Sequence, residues 1–168
     1  MANGRNVVAR GILGGTMLLV VSHTALAAAD CVMAGSSGDT GAALLGKYVA
    51  AINAHDTSSF PELFSESYIQ HSGRSPSGLA AQIENFRKVF AATPDHRMQV
   101  DDCIIAGDKV VARTTHAATH TRTFRGIAPT GKPFTYRTID IWRVENGKFA
   151  EHWDLTDAVE VLRKLRGE

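Results

Sequence analysis

The feature that most constrains the fold of this chain is a pair of strand patterns joined by Asn146-Gly147. The first pattern runs from about Pro133 to Val144 and is rich in Phe, Tyr, Ile and Trp, which suits a half-buried pleated surface. Asn-Gly between two such runs is a strong signal for a β-hairpin. The second strand ends in ionisable and aromatic residues, so the candidate site is predicted around Asp140, His152, Asp154 and Asp157.

The register of this hairpin decides which side chains share a face. A two-residue loop pairs Glu145 with Lys148 and places Asp140 and Asp154 on opposite faces, because side chains alternate with period two. A three-residue loop that ends in a bulge pairs Val144 with Lys148 and places Asp140 opposite His152. One face then holds Thr138, Asp140, His152 and Asp154. The residues alone leave both registers open, and we favour the bulged form.

Residues 1–29 have the pattern of a secretory signal peptide. Two arginines precede an apolar run over residues 11–21, and small residues follow at 25–29. The run is too short to span a bilayer, and cleavage leaves roughly 140 residues, enough for one core. We therefore expect a secreted or periplasmic protein with no membrane association after signal removal. The predicted divisions are a signal peptide over 1–29, a flexible leader over 30–39 and one domain over 40–168.

Charge and cysteine content limit the partners and the covalent links. The formal net charge is +1 at pH 7, and loss of the signal lowers it to about −1. No basic patch is present, so no nucleic-acid partner is predicted. Cys31 and Cys103 could form a disulfide in an oxidising compartment. Because Cys31 falls in the predicted leader, we favour two free thiols.

Helical spacing dominates the first half of the domain. Thr40 is predicted to cap a first helix that ends near Asn53–Asp56. Ser58 or Ser59 is predicted to cap a short second helix. A third helix follows, and it presents four apolar side chains on one face: Leu79, Ile83, Phe86 and Phe90.

Strand patterns dominate the second half. Met98–Ala106 and Lys109–Arg122 flank Gly107-Asp108, a second hairpin signal. The long hairpin follows, and Thr156 or Asp157 is predicted to cap a final helix. Helices followed by four antiparallel strands predict an α+β fold in which a curved sheet wraps around a pocket against the N-terminal helices.

Several segments are similar, in this order and spacing, to those of one known family: Asn53–Asp56 before Leu63-Phe64, Tyr68–His71, Gly126–Lys132, and Asp140–Lys148 running into Glu151–Asp154. They resemble the SnoaL-like polyketide cyclase and ester cyclase family of the nuclear-transport-factor-2-like superfamily. The resemblance extends from about Ala42 to Leu165 and implies a cone-shaped α+β fold with a short C-terminal helix. It does not specify one reaction, because this fold hosts enzymes, ligand binders and catalytically silent proteins.

The resemblance implies a catalytic role for Asp154. In the polyketide cyclases the matching aspartate is the acid/base of an intramolecular aldol closure. Asp140 and Thr138 stand where those enzymes have an assisting histidine and glutamine. Because of these differences the resemblance does not imply a polyketide as the substrate, although proton-transfer chemistry stays possible. We expect desolvation to raise the pKa of Asp154, and repulsion from Asp140 to divide acid and base roles between the two carboxyl groups.

Further residues complete the predicted site. His71 stands at a position that commonly lines the family's pocket, where an imidazole could donate to an enolate oxygen. Either His71 or His120 is predicted to assist catalysis. The predicted substrate contacts are Tyr48, Phe86, His116, Thr138, Trp142, His152 and Trp153. No third ligand accompanies the His116–His120 pair and no dinucleotide motif occurs, so the chemistry is predicted to need neither metal nor cofactor. His55 and His96 are predicted to lie on the surface.

The sequence thus predicts an exported, cofactor-independent cyclase or isomerase that acts on a small carbonyl compound. The alternative function is a non-catalytic protein that holds a hydrophobic small molecule in the same cavity. In a purely structural interpretation, Asp154 or Asp157 only caps the final helix. A homodimer formed through the outer face of the sheet is compatible with each of these, and the fold often forms one.

Overall fold

The computed structural model describes residues 31–34, 38–124 and 126–167, so the predicted signal peptide lies outside the described residues. The elements are, in chain order, β1 (Val32–Ala34), α1 (Gly38–Ala54), α2 (Phe60–Leu63), β2 (Phe64–Gln70), α3 (Leu79–Ala92), β3 (Arg97–Ala106), β4 (Lys109–Thr119), β5 (Pro133–Glu145), β6 (Lys148–Thr156) and α4 (Ala158–Arg166). None of the helices in these ranges combines the length and the apolar character needed to cross a membrane.

The strands form one mixed sheet with the order β1-β3-β4-β5-β6-β2. The four long strands β3 to β6 pair antiparallel, as predicted. The short strands β1 and β2 extend the two edges by parallel pairing with β3 and β6. The α+β fold class is confirmed, and the sheet has two more strands than the sequence patterns indicated.

The helices cover one face of the sheet and bury a shared apolar core. α1 contributes Leu45, Tyr48, Val49 and Ile52, which recur at the helical spacing of one face. The ring of Tyr48 lies edge-to-face with four neighbouring rings at centroid distances of 5.6–6.2 Å: Phe64, Phe86, Trp142 and Phe149. Such edge-to-face contacts add to the free energy gained from burial, so this cluster anchors α1 to the sheet.

The loop of the long hairpin differs from the form we favoured. Glu145 pairs with Lys148, which makes Asn146-Gly147 a two-residue loop. Both loop residues have positive φ, 52° at Asn146 and 73° at Gly147, as a type I′ turn requires. The favoured three-residue loop is therefore wrong, because Asn and Gly together already satisfy the tighter turn.

A bulge inside β6 places the same side chains on one face of the hairpin as the three-residue loop would have done. Phe149 pairs with Val144, whereas Glu151 pairs with Arg143, so Ala150 is an extra residue in β6. The extra residue exchanges the two faces of the strand beyond it. As a result Asp140 lies opposite Asp154. The predicted pairing of Asp140 with His152 is wrong by two residues, because Asp140 pairs with Asp154. The prediction that both carboxyl groups and His152 share one face is confirmed.

The segment predicted as a flexible leader contributes to the sheet. Val32–Ala34 forms β1 and pairs with the end of β3. Cys31 is bonded to Cys103 in a disulfide, so the prediction of two free thiols is wrong. Helix α1 begins at Gly38, two residues before the predicted cap at Thr40. The folded unit therefore starts before residue 40, because the disulfide and the parallel pairing attach this segment to β3.

The second and third predicted helices are confirmed as α2 and α3, but β4 is shorter than predicted. It ends at Thr119 instead of continuing to Arg122. Beyond it, the backbone of His120 bonds to Lys132, and Phe124 and Ile127 exchange two backbone hydrogen bonds. These local bonds form a turn that takes the place of the last residues of the predicted strand.

Candidate active site

A cavity of about 170 Å³ lies between the inner face of the sheet and α3. Four residues of α3 line it at the spacing of one helical face: Gln82, Asn85, Phe86 and Val89. Met98, Phe134 and Tyr136 add apolar and aromatic surface from the strands. The predicted contact residues Tyr48, Phe86, His116, Thr138 and His152 are all in the cavity wall.

Strands β5 and β6 provide the ionisable part of the wall. Asp140 and Asp154 both line the cavity, and they face it because they are opposed in the hairpin register. The side chain of Asp140 is 9% exposed and that of Asp154 is 11% exposed. The structure therefore brings the two predicted carboxyl groups into the wall of one cavity.

Asp140 has hydrogen-bond partners at both carboxylate oxygens. Nε2 of His152 donates to Oδ1 at 3.0 Å, and the hydroxyl of Thr138 donates to Oδ2. Nδ1 of His152 in turn accepts from the amide of Gln70 at 2.9 Å, which assigns the ring proton to Nε2 in the neutral imidazole. These contacts hold Asp140 in place and use most of its accepting capacity.

Asp154 is bound differently from Asp140. Its Oδ2 is paired with the guanidinium of Arg74, from the loop between β2 and α3. Its Oδ1 is buried and has no hydrogen-bond partner among the described residues. A neighbouring guanidinium favours the ionised form of a carboxyl group. Asp154 thus combines a stabilised charge with one unused acceptor atom.

Asp154 does not cap the final helix. Asp157 occupies the N-cap position of α4, and Thr156 accepts a hydrogen bond from the backbone N–H of Ala158 at 3.1 Å. The carboxylate of Asp157 accepts from the backbone N–H of Arg137 at 2.7 Å. Asp157 therefore stands at the start of α4 without a side-chain capping bond, and Asp154 has no capping role there.

Two buried histidines extend the polar wall. Nδ1 of His116 lies 3.2 Å from Nε2 of His96, and both residues line the cavity. Burial lowers the pKa of His96 to about 3, and the nearby His116, His55 and Arg97 contribute to this shift. Burial lowers the pKa of His116 to about 4, although the nearby charge of Asp140 acts to raise it. Both imidazoles are therefore neutral near pH 7, and the predicted surface position of His96 is wrong.

His71 and Trp153 do not reach the cavity wall. Their rings stack on each other at 4.3 Å, and Nε2 of His71 lies 2.8 Å from a carboxylate oxygen of Glu151. Alternation along β6 turns Glu151 and Trp153 away from the face that carries His152 and Asp154. His71 directly follows β2 and lies outside the cavity wall, whereas Gln70, the last residue of β2, lines the cavity.

His120 and Trp142 are buried outside the cavity wall. His120 follows the end of β4, where its Nδ1 lies 3.2 Å from the hydroxyl of Thr130. Trp142 is 1% exposed and packs in the core, with its ring stacked on His152 at 4.9 Å. Trp142 therefore packs against His152 from the core, and His120 is not among the residues of the cavity wall.

The polar residues of the wall that sequence reasoning missed include Gln70, Arg74, Gln82 and His96. Period-two alternation from the buried Tyr68 could have identified Gln70 as inward-facing. Helical spacing from Phe86 could have identified Gln82. No local pattern marks Arg74 or His96, because the first lies in a loop and the second just before β3.

No group of three or more His, Cys, Asp or Glu side chains suited to a metal ion occurs in the described ranges 31–34, 38–124 and 126–167. The polar groups of the cavity are engaged mainly with one another. They offer proton acceptors and donors, and they leave one carboxylate oxygen and an apolar surface for a ligand.

The family model of the SnoaL-like polyketide cyclases matches residues 42–165, about three quarters of the chain. This chain belongs to the SnoaL-like polyketide cyclase family. The match includes every residue that lines the cavity, and it confirms the family resemblance. The comparison with curated proteins gives no match.

Solved structures agree with the family assignment. TsrD from Streptomyces laurentii is 28% identical with a TM-score of 0.70, over 76% of this chain and 95% of TsrD. AclR from Streptomyces galilaeus, described as a candidate hydroxylase, is 28% identical with a TM-score of 0.70, over 79% of this chain and 99% of AclR. IdmH from Streptomyces antibioticus, described as a candidate polyketide cyclase, is 27% identical with a TM-score of 0.65, over 75% and 98% of the two chains.

Proposed function

We propose that this SnoaL-like protein is a cofactor-independent cyclase or isomerase that moves a proton on a small carbonyl compound. The observation that supports this is the free Oδ1 of Asp154, buried in the cavity beside Asp140, whose two carboxylate oxygens both already accept hydrogen bonds. Asp154 is the general base, and it removes a proton from the carbon next to the carbonyl group. Arg74 stabilises the ionised form that a base requires.

The remaining residues divide the supporting roles. Asp140 and His152 form the fixed polar end of the cavity, and Thr138 and Gln70 hold them in place. The developing enolate oxygen needs a donor near Asp154. Arg74 supplies one in this proposal, replacing His71 and His120, which lie outside the cavity wall.

The size of the cavity limits the ligand. An apolar protein cavity of about 150 Å³ accommodates a benzene-sized molecule, and the volume here is about 170 Å³. We therefore expect a ligand whose enclosed part is a single ring or a short branched chain. The aromatic wall favours a hydrophobic body, and the carboxylate end favours a carbonyl group with an acidic neighbouring C–H.

The test is proton exchange, because it requires no knowledge of the product. Cyclic ketones and β-diketones with a single ring are incubated with the mature protein in D₂O, and loss of the α-proton signal is followed by NMR. The protein should accelerate exchange for some of these compounds. Asp154→Asn should reduce the acceleration by roughly 10²–10⁴-fold with a nearly unchanged thermal midpoint.

The matched control is Asp108→Asn, the same chemical change in the exposed turn between β3 and β4. It should leave exchange unaltered. Equal exchange by the wild type and Asp154→Asn would contradict the base role. A large loss of stability in Asp154→Asn would instead assign this residue a structural role.

The second candidate function is non-catalytic binding. The apolar side of the cavity, with Phe86, Val89, Met98 and Phe134, supports it. A binder retains affinity for hydrophobic ligands in Asp154→Asn and shows no acceleration of exchange.

Export is part of the proposal. The signal-peptide pattern over residues 1–29 supports it, and so does the disulfide between Cys31 and Cys103, because disulfides persist in oxidising compartments. We propose that the mature protein acts in the periplasm or outside the cell. Its substrate would then differ from those of polyketide tailoring enzymes, which work in the cytoplasm.

A further inference from the structure

A continuous chain of buried hydrogen bonds leads from Asp140 to His96. The hydroxyl oxygens of Thr138 and Thr114 lie 2.5 Å apart, and Thr138 donates to Asp140. Thr114 lies 3.0 Å from Nε2 of His116, whose Nδ1 lies 3.2 Å from Nε2 of His96. All five residues are at most 8% exposed. Asp154 has no recorded hydrogen bond to this chain among the described residues.

Ionised Asp140 fixes the direction of every bond in the chain. A carboxylate only accepts, so the single hydroxyl proton of Thr138 is used on Asp140. Thr114 must then donate its own proton, either to Thr138 at 2.5 Å or directly to Oδ2 of Asp140 at 3.5 Å. Nε2 of His116 must therefore carry a proton and donate it to Thr114.

The same reasoning fixes the far end of the chain. A neutral His116 that is protonated at Nε2 has a bare Nδ1, which accepts from Nε2–H of His96 at 3.2 Å, a shorter contact than the 3.4 Å between the same Nε2 and the hydroxyl of Tyr136. Nδ1 of His96 is then also bare, and it is buried without a hydrogen-bond partner among the described residues. The chain therefore ends in an unused proton acceptor on a residue of the cavity wall.

We propose that these residues form a proton relay in which His96 exchanges a proton with the cavity and Asp140 stores it. When Nδ1 of His96 gains a proton, its Nε2 proton passes to Nδ1 of His116. The Nε2 proton of His116 passes to Thr114, the hydroxyl proton of Thr114 to Thr138, and that of Thr138 to Oδ2 of Asp140. One proton enters and one carboxylate is neutralised, while both imidazoles change tautomer and stay neutral.

The relay explains how two buried histidines can take part in proton transfer. The pKa values of about 3 for His96 and about 4 for His116 make an imidazolium unfavourable at neutral pH. The relay avoids that charge because the only change in charge occurs at Asp140, where His152 and Thr138 already donate hydrogen bonds.

The relay could supply protons to a reaction at Asp154, and this role rests on the proposed function. Its hydrogen-bond direction does not, since the ring tautomers can be measured without turnover. The wild-type protein, labelled with ¹⁵N in its histidines, should show His96 and His116 both protonated at Nε2 by NMR. Protonation of either ring at Nδ1 in the wild type at neutral pH would overturn the relay.

Asp140→Asn should reverse the chain. The amide oxygen continues to accept from His152, so the amide N–H group faces Thr138, which must now accept. Both imidazoles should then be protonated at Nδ1. A folded Asp140→Asn protein in which both remain protonated at Nε2 would contradict the relay.

Thr114→Val is the matched control, because it keeps the side-chain shape and removes the linking hydroxyl. In the double variant Thr114→Val/Asp140→Asn, the His96 and His116 tautomers should be the same as in Thr114→Val alone. A tautomer change between these two proteins would show that the signal travels by another route and would overturn the relay. Normal relay tautomers with no α-proton exchange would contradict only the proposed function.

Discussion

At the scale of single residues, burial decides the behaviour of the ionisable groups of the cavity. His96 and His116 remain neutral because a buried imidazolium would lose its hydration, and the pKa of each ring falls well below its ordinary value of about 6.5. Asp140 keeps hydrogen bonds to both oxygens, whereas Asp154 keeps one oxygen unused. Two aspartates that face each other in one hairpin thereby acquire different capacities for proton transfer.

The lowered histidine pKa values predict a loss of stability on acidification. Below about pH 6.5 the unfolded chain binds protons at these two histidines and the folded chain does not, so acid favours unfolding. The loss should continue until the folded rings titrate, at about pH 4 for His116 and about pH 3 for His96. Each histidine contributes at most about 1.4 kcal/mol per pH unit.

Urea unfolding at several pH values between about 6.5 and 4.5 measures this loss, above the range in which most carboxyl groups titrate. His116→Gln should reduce the slope of unfolding free energy against pH. His71→Gln, which replaces a partly exposed histidine outside the cavity, should retain most of this slope. A free energy of unfolding that stays constant across this range would contradict the neutral buried pair.

At the scale of elements, the edge strand β1 depends on the disulfide. β1 has only three residues, too few for its pairing with β3 to be stable without further support. The bond between Cys31 and Cys103 links positions that are 72 residues apart in the sequence. Closing a loop of that length reduces the entropy of the unfolded chain. The disulfide therefore stabilises the fold and holds β1 against β3.

Replacing both cysteines by serine should lower the free energy of unfolding by about 2–4 kcal/mol, as measured by urea denaturation. Addition of a reducing agent should destabilise the wild type and have no effect on the double variant. Equal stability of the oxidised wild type and the double variant would show that β1 pairs without help from the disulfide.

At the scale of the whole molecule, the outer face of the sheet carries an apolar row. Ile104, Val111, Ile141 and Trp153 pair in sequence across β3, β4, β5 and β6. Ile104 is 50% exposed and Ile141 is 37% exposed. Contiguous apolar surface of this kind marks protein interaction sites. We propose that two copies associate through this face.

Light scattering on the mature protein tests the association. The wild type should have the mass of a dimer, and Ile141→Lys should shift it towards the monomer, because a charge in the centre of an apolar interface loses its hydration. Thr135→Lys, an exposed position near the start of the same strand, is the control and should have a smaller effect. A monomeric wild type would contradict the proposed dimer.

The sequence by itself determined the order of the helices and of the four long strands, and the position of the long hairpin that carries Asp140 and Asp154. Periodicity along α3 and β5 reflects which face of each element is buried, and Asn146-Gly147 specifies a turn through its own backbone preferences. These are local properties, so they can be read from neighbouring residues. The family resemblance added the identity of the inward-facing aspartate.

Only the tertiary structure decided how these parts meet. The bulge at Ala150 sets Asp140 opposite Asp154, and no local signal marks its position. His96 is buried because β4 and β5 bring His116 and Tyr136 against it, and Arg74 reaches Asp154 across a loop. The bond between Cys31 and Cys103 likewise joins distant positions. Each depends on contacts between residues far apart in the chain, which periodicity does not record.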